Sequence, residues 1–349
     1  MHPYLTPQIR LDMAEIVARA SDDLETVTDG PLVLTGSTGF VGTWLTLSFL
    51  EAKRKLGSRG DLILVSRNPL GQRRLLEEAG YNSGYTTISS DVRLLSPNSV
   101  PEGARLIHAA TPARASLNNS RPLEMLNIIV DGQKNLLEVA HAKGTKAFLF
   151  LSSGAVYGKQ PVDLEGLSED WSGAPSVVDA QNAYHEGKRV AELMGNLYQS
   201  SLNLPFVTAR LFAFLAPFLP LDEHFAAGNF IGDAVAGRDI SIQSGGGSIR
   251  SYQYGTDMSV WLWAILARGE SGHAYNVGSD QSVTILELAQ RVTAQSLDGV
   301  QVRVKGVDTP KNISRYVPAV HRAKLTLSLE NCVQLDEAIR RTLRWNGEL

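Results

Sequence analysis

Along this chain the spacing of apolar residues changes period several times, and each change marks an element. Ile9, Met13, Ile16, Val17 and Ala20 recur at helical spacing, which predicts one amphipathic helix in an appended segment, residues 1–30, that trails off in polar residues 21–23. Short, nearly unbroken apolar runs at 31–35, 61–65, 85–92, 105–110 and 147–151 predict buried strands. Between them, 43–56 and 126–142 repeat with the period of amphipathic helices. Strands alternating with helices predict an α/β architecture, a doubly wound parallel sheet covered on both faces. Past residue 212 the pattern loosens. It predicts helices at 225–235, 256–267, 285–294 and 331–345, short strands at 239–243 and 301–304, and a flexible loop at Gly245, Gly246 and Gly247. The expectation is a smaller, mixed C-terminal domain built from 213–249 and 276–349, with 250–275 returning to a main domain of 31–212.

Composition narrows the partners more than the fold. With 349 residues, 43% hydrophobic and 20% charged, the chain has ordinary globular make-up and ample material for a core. A formal charge of −3 supplies neither a basic footprint for nucleic acid nor a polybasic membrane patch. The most apolar late run, 204–221, carries Arg210 and three prolines and is not a membrane span, and Arg10, Asp12 and Glu15 interrupt any signal-like stretch. The single cysteine, Cys332, excludes an intramolecular disulfide framework and suits a reducing compartment. A soluble, cytoplasmic protein is expected. No cluster of His, Cys and Asp stands at metal-ligand spacing, so no metal is expected and His108 and His185 are assigned structural roles.

Candidate chemistry begins where the first strand ends. Gly36-x-x-Gly39-x-x-Gly42 lies between a strand and a helix, where glycines let the backbone approach a pyrophosphate at the helix N-terminus. Gly36, Thr38, Gly39, Phe40, Val41 and Gly42 are therefore candidate contacts for NAD or NADP. The second strand ends in Ser66-Arg67-Asn68. An acidic residue there would hold the 2′-hydroxyl of NAD, whereas Arg67 suits the 2′-phosphate of NADP; NADP(H) is favoured over NAD(H). Asp91, with Val92 beside it, is placed to accept from an adenine amine, and the small residues Ala109 and Ala110 let the fourth strand run close to the cofactor. Ser152, Ser153 and Gly154 follow the strand at 147–151, at the carboxyl end where ligands of such sheets bind. Tyr184 and Lys188 stand four residues apart just ahead of the helix-like run 189–198, and on a helix that spacing would present a phenol and an ammonium on one face. A free phenol titrates near about 10, and a neighbouring cation favours the phenolate, which makes Tyr184 a candidate general acid/base.

Together these motifs resemble the extended short-chain dehydrogenase/reductase family, within it the nucleotide-sugar epimerase/dehydratase branch. The resemblance covers nearly all of 31–345. It rests on the glycine triplet, Ile107-His-Ala-Ala110, Leu151-Ser-Ser-Gly-Ala-Val-Tyr-Gly158, Tyr184-x-x-x-Lys188, Arg250-Ser-Tyr-Gln-Tyr254, Tyr275-Asn-Val-Gly278 and Tyr316-Val-Pro318. It implies a Rossmann sheet with a C-terminal substrate domain, and interconversion of a hydroxyl and a carbonyl on a sugar, usually at C4, with hydride passing to or from nicotinamide. In that scheme Tyr184 exchanges the proton with the sugar oxygen, Lys188 lowers its pKa and holds the nicotinamide ribose, and Ser153 hydrogen-bonds the reacting oxygen. The implied partner is a nucleotide-diphosphate sugar, with Asn229 and Arg250 at positions that contact the diphosphate. A homodimer through helix 126–142 and the helix following Tyr184 is also implied.

Several positions depart from the family pattern. The 4,6-dehydratases carry Asp-Glu after the catalytic threonine, and the glucuronate decarboxylases, which the element at 184–189 resembles, keep a glutamate there. Gly154 and Ala155 cannot transfer a proton, so the expectation is a C4 epimerase or a 4-ketoreductase rather than a dehydratase or decarboxylase. A non-catalytic NADP-sensing relative usually lacks the Tyr/Lys pair, which is intact here. Ala213 and Ala216 replace the usual asparagine and glycine, residues 163–179 form an insertion able to cover the site, and Arg67 is unusual for NAD-retaining epimerases.

Overall fold

The computed structural model describes residues 2–111, 115–223, 225–296, 299–309 and 312–348. The first half runs α1 (Pro7–Arg19), α2 (Ser21–Thr28), β1 (Leu32–Thr35), α3 (Phe40–Leu56), β2 (Leu62–Ser66), α4 (Leu70–Glu78), β3 (Tyr85–Ser89) and β4 (Arg105–His108). Next come α5 (Ala115–Ser120), α6 (Pro122–Ala142), β5 (Ala147–Ser153), α7 (Ala183–Leu202) and β6 (Phe206–Leu211). The remainder comprises α8 (Ala226–Val235), β7 (Ile240–Ile242), β8 (Ile249–Ser251), α9 (Gly255–Arg268), β9 (Ala274–Val277), β10 (Ser282–Thr284), α10 (Ile285–Thr293), β11 (Val302–Val304), β12 (Arg315–Tyr316), α11 (His321–Leu327) and α12 (Leu335–Glu348).

Seven strands form one sheet in the order β3-β2-β1-β4-β5-β6-β9, and every neighbouring pair is parallel. The expected doubly wound α/β fold is therefore present. Strands β1 and β2 are buried along their whole length, which is why they read as unbroken apolar runs, while the edge strand β3 is only partly covered. The order reverses at β1, so a crevice opens beside the carboxyl ends of β1 and β4. Two small sheets, β10-β8-β12 and β11-β7, make up the mixed C-terminal part.

The sequence expectations differ from the structure in several places. Residues 1–30 hold two helices, because Leu24 and Val27 give 21–28 its own buried side and Asp22 and Asp23 sit favourably in the first turn of α2. Ile9, Met13, Ile16 and Val17 of α1 enter the main core with α3 and α9, so the appended segment is part of the body. Strand β6 was hidden inside the apolar run at 204–221, and β9 extends the sheet through Val277, past the expected return segment. Helix α7 starts at Ala183, earlier than its periodicity suggested, and so includes Tyr184.

Candidate active site

The turn after β1 is fixed by close backbone approach. Gly36 has φ +70°, and a Cβ there would lie 2.6 Å from the carbonyl carbon and oxygen of Ala109 and 2.7 Å from the nitrogen of Ala110. A Cβ on Gly42 would strike the Gly36 carbonyl oxygen. Gly39 caps α3 without any side-chain acceptor, and no acidic residue occupies the first turn, so the N–H groups of that turn remain available to an anion. Thr38 is exposed and Phe40 and Val41 partly so, beside this turn. Gln72 of α4 pins it from outside, accepting from the Ser37 hydroxyl at 2.8 Å and donating to the Ser37 carbonyl at 2.6 Å. Sequence reasoning missed Gln72, which carries no local signal.

At the end of β2, Arg67 is exposed and the buried Ser66 hydroxyl has no partner among the described residues. Asp91 accepts from Arg93 at 2.9 and 2.8 Å and from its backbone N–H at 3.0 Å, and these bonds hold its carboxyl below the usual range. It retains acceptor capacity for an amine. Val92 is buried against Gly132, whose missing Cβ leaves room for it, and Asn135 donates to its carbonyl at 2.7 Å.

Tyr184 sits in the first turn of α7, its N–H capped at 3.1 Å by Asn118 of α5. Lys188 is one turn further and buried. Its Nζ donates to the Leu151 carbonyl at 2.6 Å and the Thr111 hydroxyl at 2.9 Å, and lies 4.6 Å from the Phe150 ring centroid. Desolvation pulls Lys188 down to about 7, against the pull of nearby Glu192. The ammonium is 6.0 Å from the Tyr184 ring centroid. Burial raises the Tyr184 phenol, with Ser153 opposing, so the expected lowering by Lys188 is not what this arrangement produces. A protonated phenol is the form that donates to a carbonyl oxygen. Ser153 ends β5, accepts from the Ala155 N–H at 3.1 Å, and interacts with the phenols of both Tyr184 and Tyr316. Thus Ser153, Tyr184 and Lys188 come together at the carboxyl end of β5.

Beneath them lies a set of buried polar groups that sequence reasoning did not assemble. Ser152 donates to Glu192, which holds Arg210 through bonds of 2.7–3.1 Å. Arg210 donates to the Tyr157 hydroxyl at 2.9 Å, and Tyr157 to Asn276 at 2.7 Å. The motif residues Tyr157 and Asn276 are thus structural. Asn276 in turn donates to the carbonyls of Leu167 and Ala319, and its backbone N–H reaches Glu169 at 2.8 Å. This docks the 163–179 insertion, together with bonds between Leu167 and both Val317 and Ala319. His108 is buried, contacts the Thr35 hydroxyl at 3.0 Å, and is pushed down to about 3 by burial and then by Lys188, so it stays neutral. Burial also pushes His185 down, beside Tyr184.

Arg250 of β8 donates to the Ile249 carbonyl at 2.8 Å and to Ser314 at 2.8 and 3.1 Å, and burial lowers it. Its described partners are neutral oxygens, which leaves its charge uncompensated. Asn229 is exposed in the first turn of α8, and no hydrogen bond joins it to Arg250 or Tyr184.

The Gly36 and Gly42 contacts, the open first turn of α3 and the orphan Ser66 hydroxyl all fit a dinucleotide laid across β1, β2 and β4. Known proteins agree with this geometry. The description "NAD dependent epimerase/dehydratase family" matches residues 32–278. UDP-glucuronic acid decarboxylase 1 of Danio rerio is 28% identical over 317 residues, 90% of this chain and 72% of that protein. UDP-glucuronic acid decarboxylase 3 of Arabidopsis thaliana is 26% identical over 309 residues, covering 88% and 86%. An epimerase of Methanothermobacter thermautotrophicus superposes with a TM-score of 0.79 at 20% identity, covering 95% and 96% of the two chains. The UDP-N-acetylglucosamine 4-epimerase of Methanobrevibacter ruminantium does so at 0.78 and 20%, covering 91% and 98%. The chain belongs to the NAD-dependent epimerase/dehydratase family, in the extended short-chain dehydrogenase/reductase class of nucleotide-sugar enzymes. Among the described residues no helix is long and apolar enough to cross a membrane, and no metal-binding cluster occurs.

Proposed function

From that membership we propose that this protein interconverts a hydroxyl and a carbonyl at C4 of a nucleotide-diphosphate sugar, as a 4-ketoreductase or C4 epimerase, with NADP(H) preferred. One observation carries the choice over dehydration or decarboxylation. A side chain at 154 would begin 2.6 Å from the Tyr316 hydroxyl and the Phe212 ring, and alanine follows at 155, so neither position after Ser153 offers a carboxylate. The relatives at 26–28% identity are decarboxylases, and their chemistry does not transfer across that position.

A bound nicotinamide supplies or accepts hydride at the sugar carbon. Tyr184, protonated at rest, gives its proton to a carbonyl oxygen or, in reverse, receives one from a hydroxyl. Ser153 donates to the same oxygen as charge develops there. Lys188, close to its own titration point, steadies the phenolate once formed. Arg250, charged and without an acidic partner among its described contacts, suits a substrate phosphate, and Asn229 is a second candidate for it. Gly36, Thr38, Gly39, Phe40, Val41 and Gly42, with Asp91, Val92, Ala109 and Ala110, serve the cofactor, and Arg67 its 2′-phosphate. A homodimer is supported by Val190, Leu193 and Leu197, exposed at helical spacing on α7.

The test uses purified protein with UDP-glucuronic acid, UDP-glucose, UDP-N-acetylglucosamine and dTDP-glucose, together with the 4-keto derivatives of the three neutral sugars, each with and without NADPH. NADPH consumed in step with product identifies the reductase; a 4-epimer formed without added reductant identifies the epimerase. Loss of carbon dioxide or water from any of these sugars would refute both. Tyr184→Phe should abolish turnover and leave cofactor binding intact.

A further inference from the structure

Tyr316 reaches the reacting centre from the other domain. It sits in the two-residue strand β12, where Arg250 and Tyr316 face each other across β8 and β12. Its ring stacks on Phe212 with centroids 4.6 Å apart and planes at 30°. The segment that bears it is held by Gln160, which accepts from the Val317 N–H at 2.8 Å, and by the docking of Leu167. The hydroxyl ends 2.6 Å from where a Cβ of residue 154 would stand, directly beside Ser153. Glycine at 154 is therefore the condition for a phenol to occupy that place.

The inventory of bonds at Ser153 then decides what this phenol does. A serine hydroxyl has one proton and two lone pairs. One lone pair takes the Ala155 N–H at 3.1 Å, and the other lone pair and the proton are left for the side facing the phenols of Tyr184 and Tyr316. The Tyr316 O–H has only a long bond, 3.4 Å, to the Leu211 carbonyl, so its proton is weakly engaged. Burial keeps the phenol protonated, with Ser153 the main opposing influence. We propose that Tyr316 is a positioning residue that donates to the second lone pair of Ser153 and so turns the serine proton toward the oxygen on which Tyr184 acts. Hydrogen bonds in such a chain polarise one another, so the serine becomes the better donor. This rests on the Ser153/Tyr184/Lys188 reading of the site.

Because Tyr316 acts only through Ser153, its effect must vanish when Ser153 is gone. Tyr316→Phe should lower kcat roughly tenfold to a hundredfold, with KM for the sugar nucleotide little changed. Ser153→Ala and the double variant Ser153→Ala/Tyr316→Phe should be equally slow. Wild-type kcat in Tyr316→Phe, or a double-variant loss equal to the product of the two single losses, would overturn the proposal. A measurement that needs no substrate stands beside it. In protein labelled with 13C at tyrosine Cζ, the Tyr316 resonance, assigned by its absence in Tyr316→Phe, should move in Ser153→Ala; an unmoved resonance also overturns it. Tyr184→Phe separates the two readings. If that variant retains turnover, the Ser/Tyr/Lys reading fails; if it is dead while Tyr316→Phe is normal, only the role of Tyr316 fails.

Discussion

Two arginine-centred clusters in this molecule are built from nearly the same parts. Arg210 bonds Glu192 and Tyr157 and lies 4.8 Å from the Tyr157 ring centroid. Arg341 bonds Asp12 at 3.0 Å, Glu15 at 2.7 Å and Glu337 at 2.7 Å, and lies 5.3 Å from the ring of Tyr254, whose hydroxyl donates to Asp12. What differs is the next atom along. Glu192 accepts from Ser152, the covalent neighbour of Ser153, so the first cluster fixes where β5 ends. The second ties α1 to α12 and to the residue that caps α9, and none of its described bonds reaches the site. Similar interior chemistry thus sets Ser153, the proposed donor to the reacting oxygen, in one place and joins α1 to α12 in the other.

Removing each arginine should separate these roles. Arg210→Leu and Arg341→Leu each strand buried carboxylates, at a cost of about 3 kcal/mol in unfolding free energy. Well below the lowered melting points, Arg341→Leu should keep wild-type kcat, and Arg210→Leu should lose most of it. Urea unfolding and initial rates on the same samples check this. Equal kcat losses would erase the contrast between the clusters.

A smaller effect distinguishes the regions by pH. Burial, against bonds from Tyr254 and Arg341, raises Asp12 from 3.8 to about 6. The folded state then binds more protons than the unfolded between those values, so stability falls as pH rises through that window. Lys188 is opposite: lowered from 10.5 to about 7, it binds fewer protons when folded, and stability rises from pH 7 to 10.5. Melting curves against pH should therefore flatten on the acid side in Asp12→Asn and on the alkaline side in Lys188→Met, each by about 2 °C or more. Parallel curves for wild type and variant would contradict the assignment.

The two regions also differed in how far the sequence disclosed them. The glycine cradle and the Tyr184–Lys188 pair are local patterns, since a strand, a tight turn and a helix follow one another within a few residues, and four residues make one helical turn. Strand β6 escaped because its apolar run continues past Leu211 with no polar boundary. Tyr157 and Asn276 are 119 residues apart, and no spacing rule connects them. Tyr316 was legible as part of a motif, but its arrival over Gly154 depends on a two-residue strand that exists only through pairing with β8. Arg93, two residues after Asp91, was within reach of the sequence and was overlooked.

The cofactor preference rests on the smallest of these energies. Arg67 is exposed at the end of β2, close enough to Asp91 to help lower its carboxyl, and Asp91 is already engaged by Arg93. The cation of Arg67 is therefore only partly offset, and a 2′-phosphate nearby would gain one more charge-assisted contact. At an exposed site such a contact contributes about 1 kcal/mol, roughly fivefold in affinity. Arg67→Ala should weaken NADPH binding by about that factor and leave NADH unchanged, measured by fluorescence titration of the reduced nicotinamide. Raising ionic strength should shrink the difference, because exposed charges are screened within about 10 Å at 0.1 M salt. If the wild-type protein binds NADH as tightly as NADPH, Arg67 does not read the 2′-phosphate, and retention of a bound NAD through each cycle becomes the better account of the site.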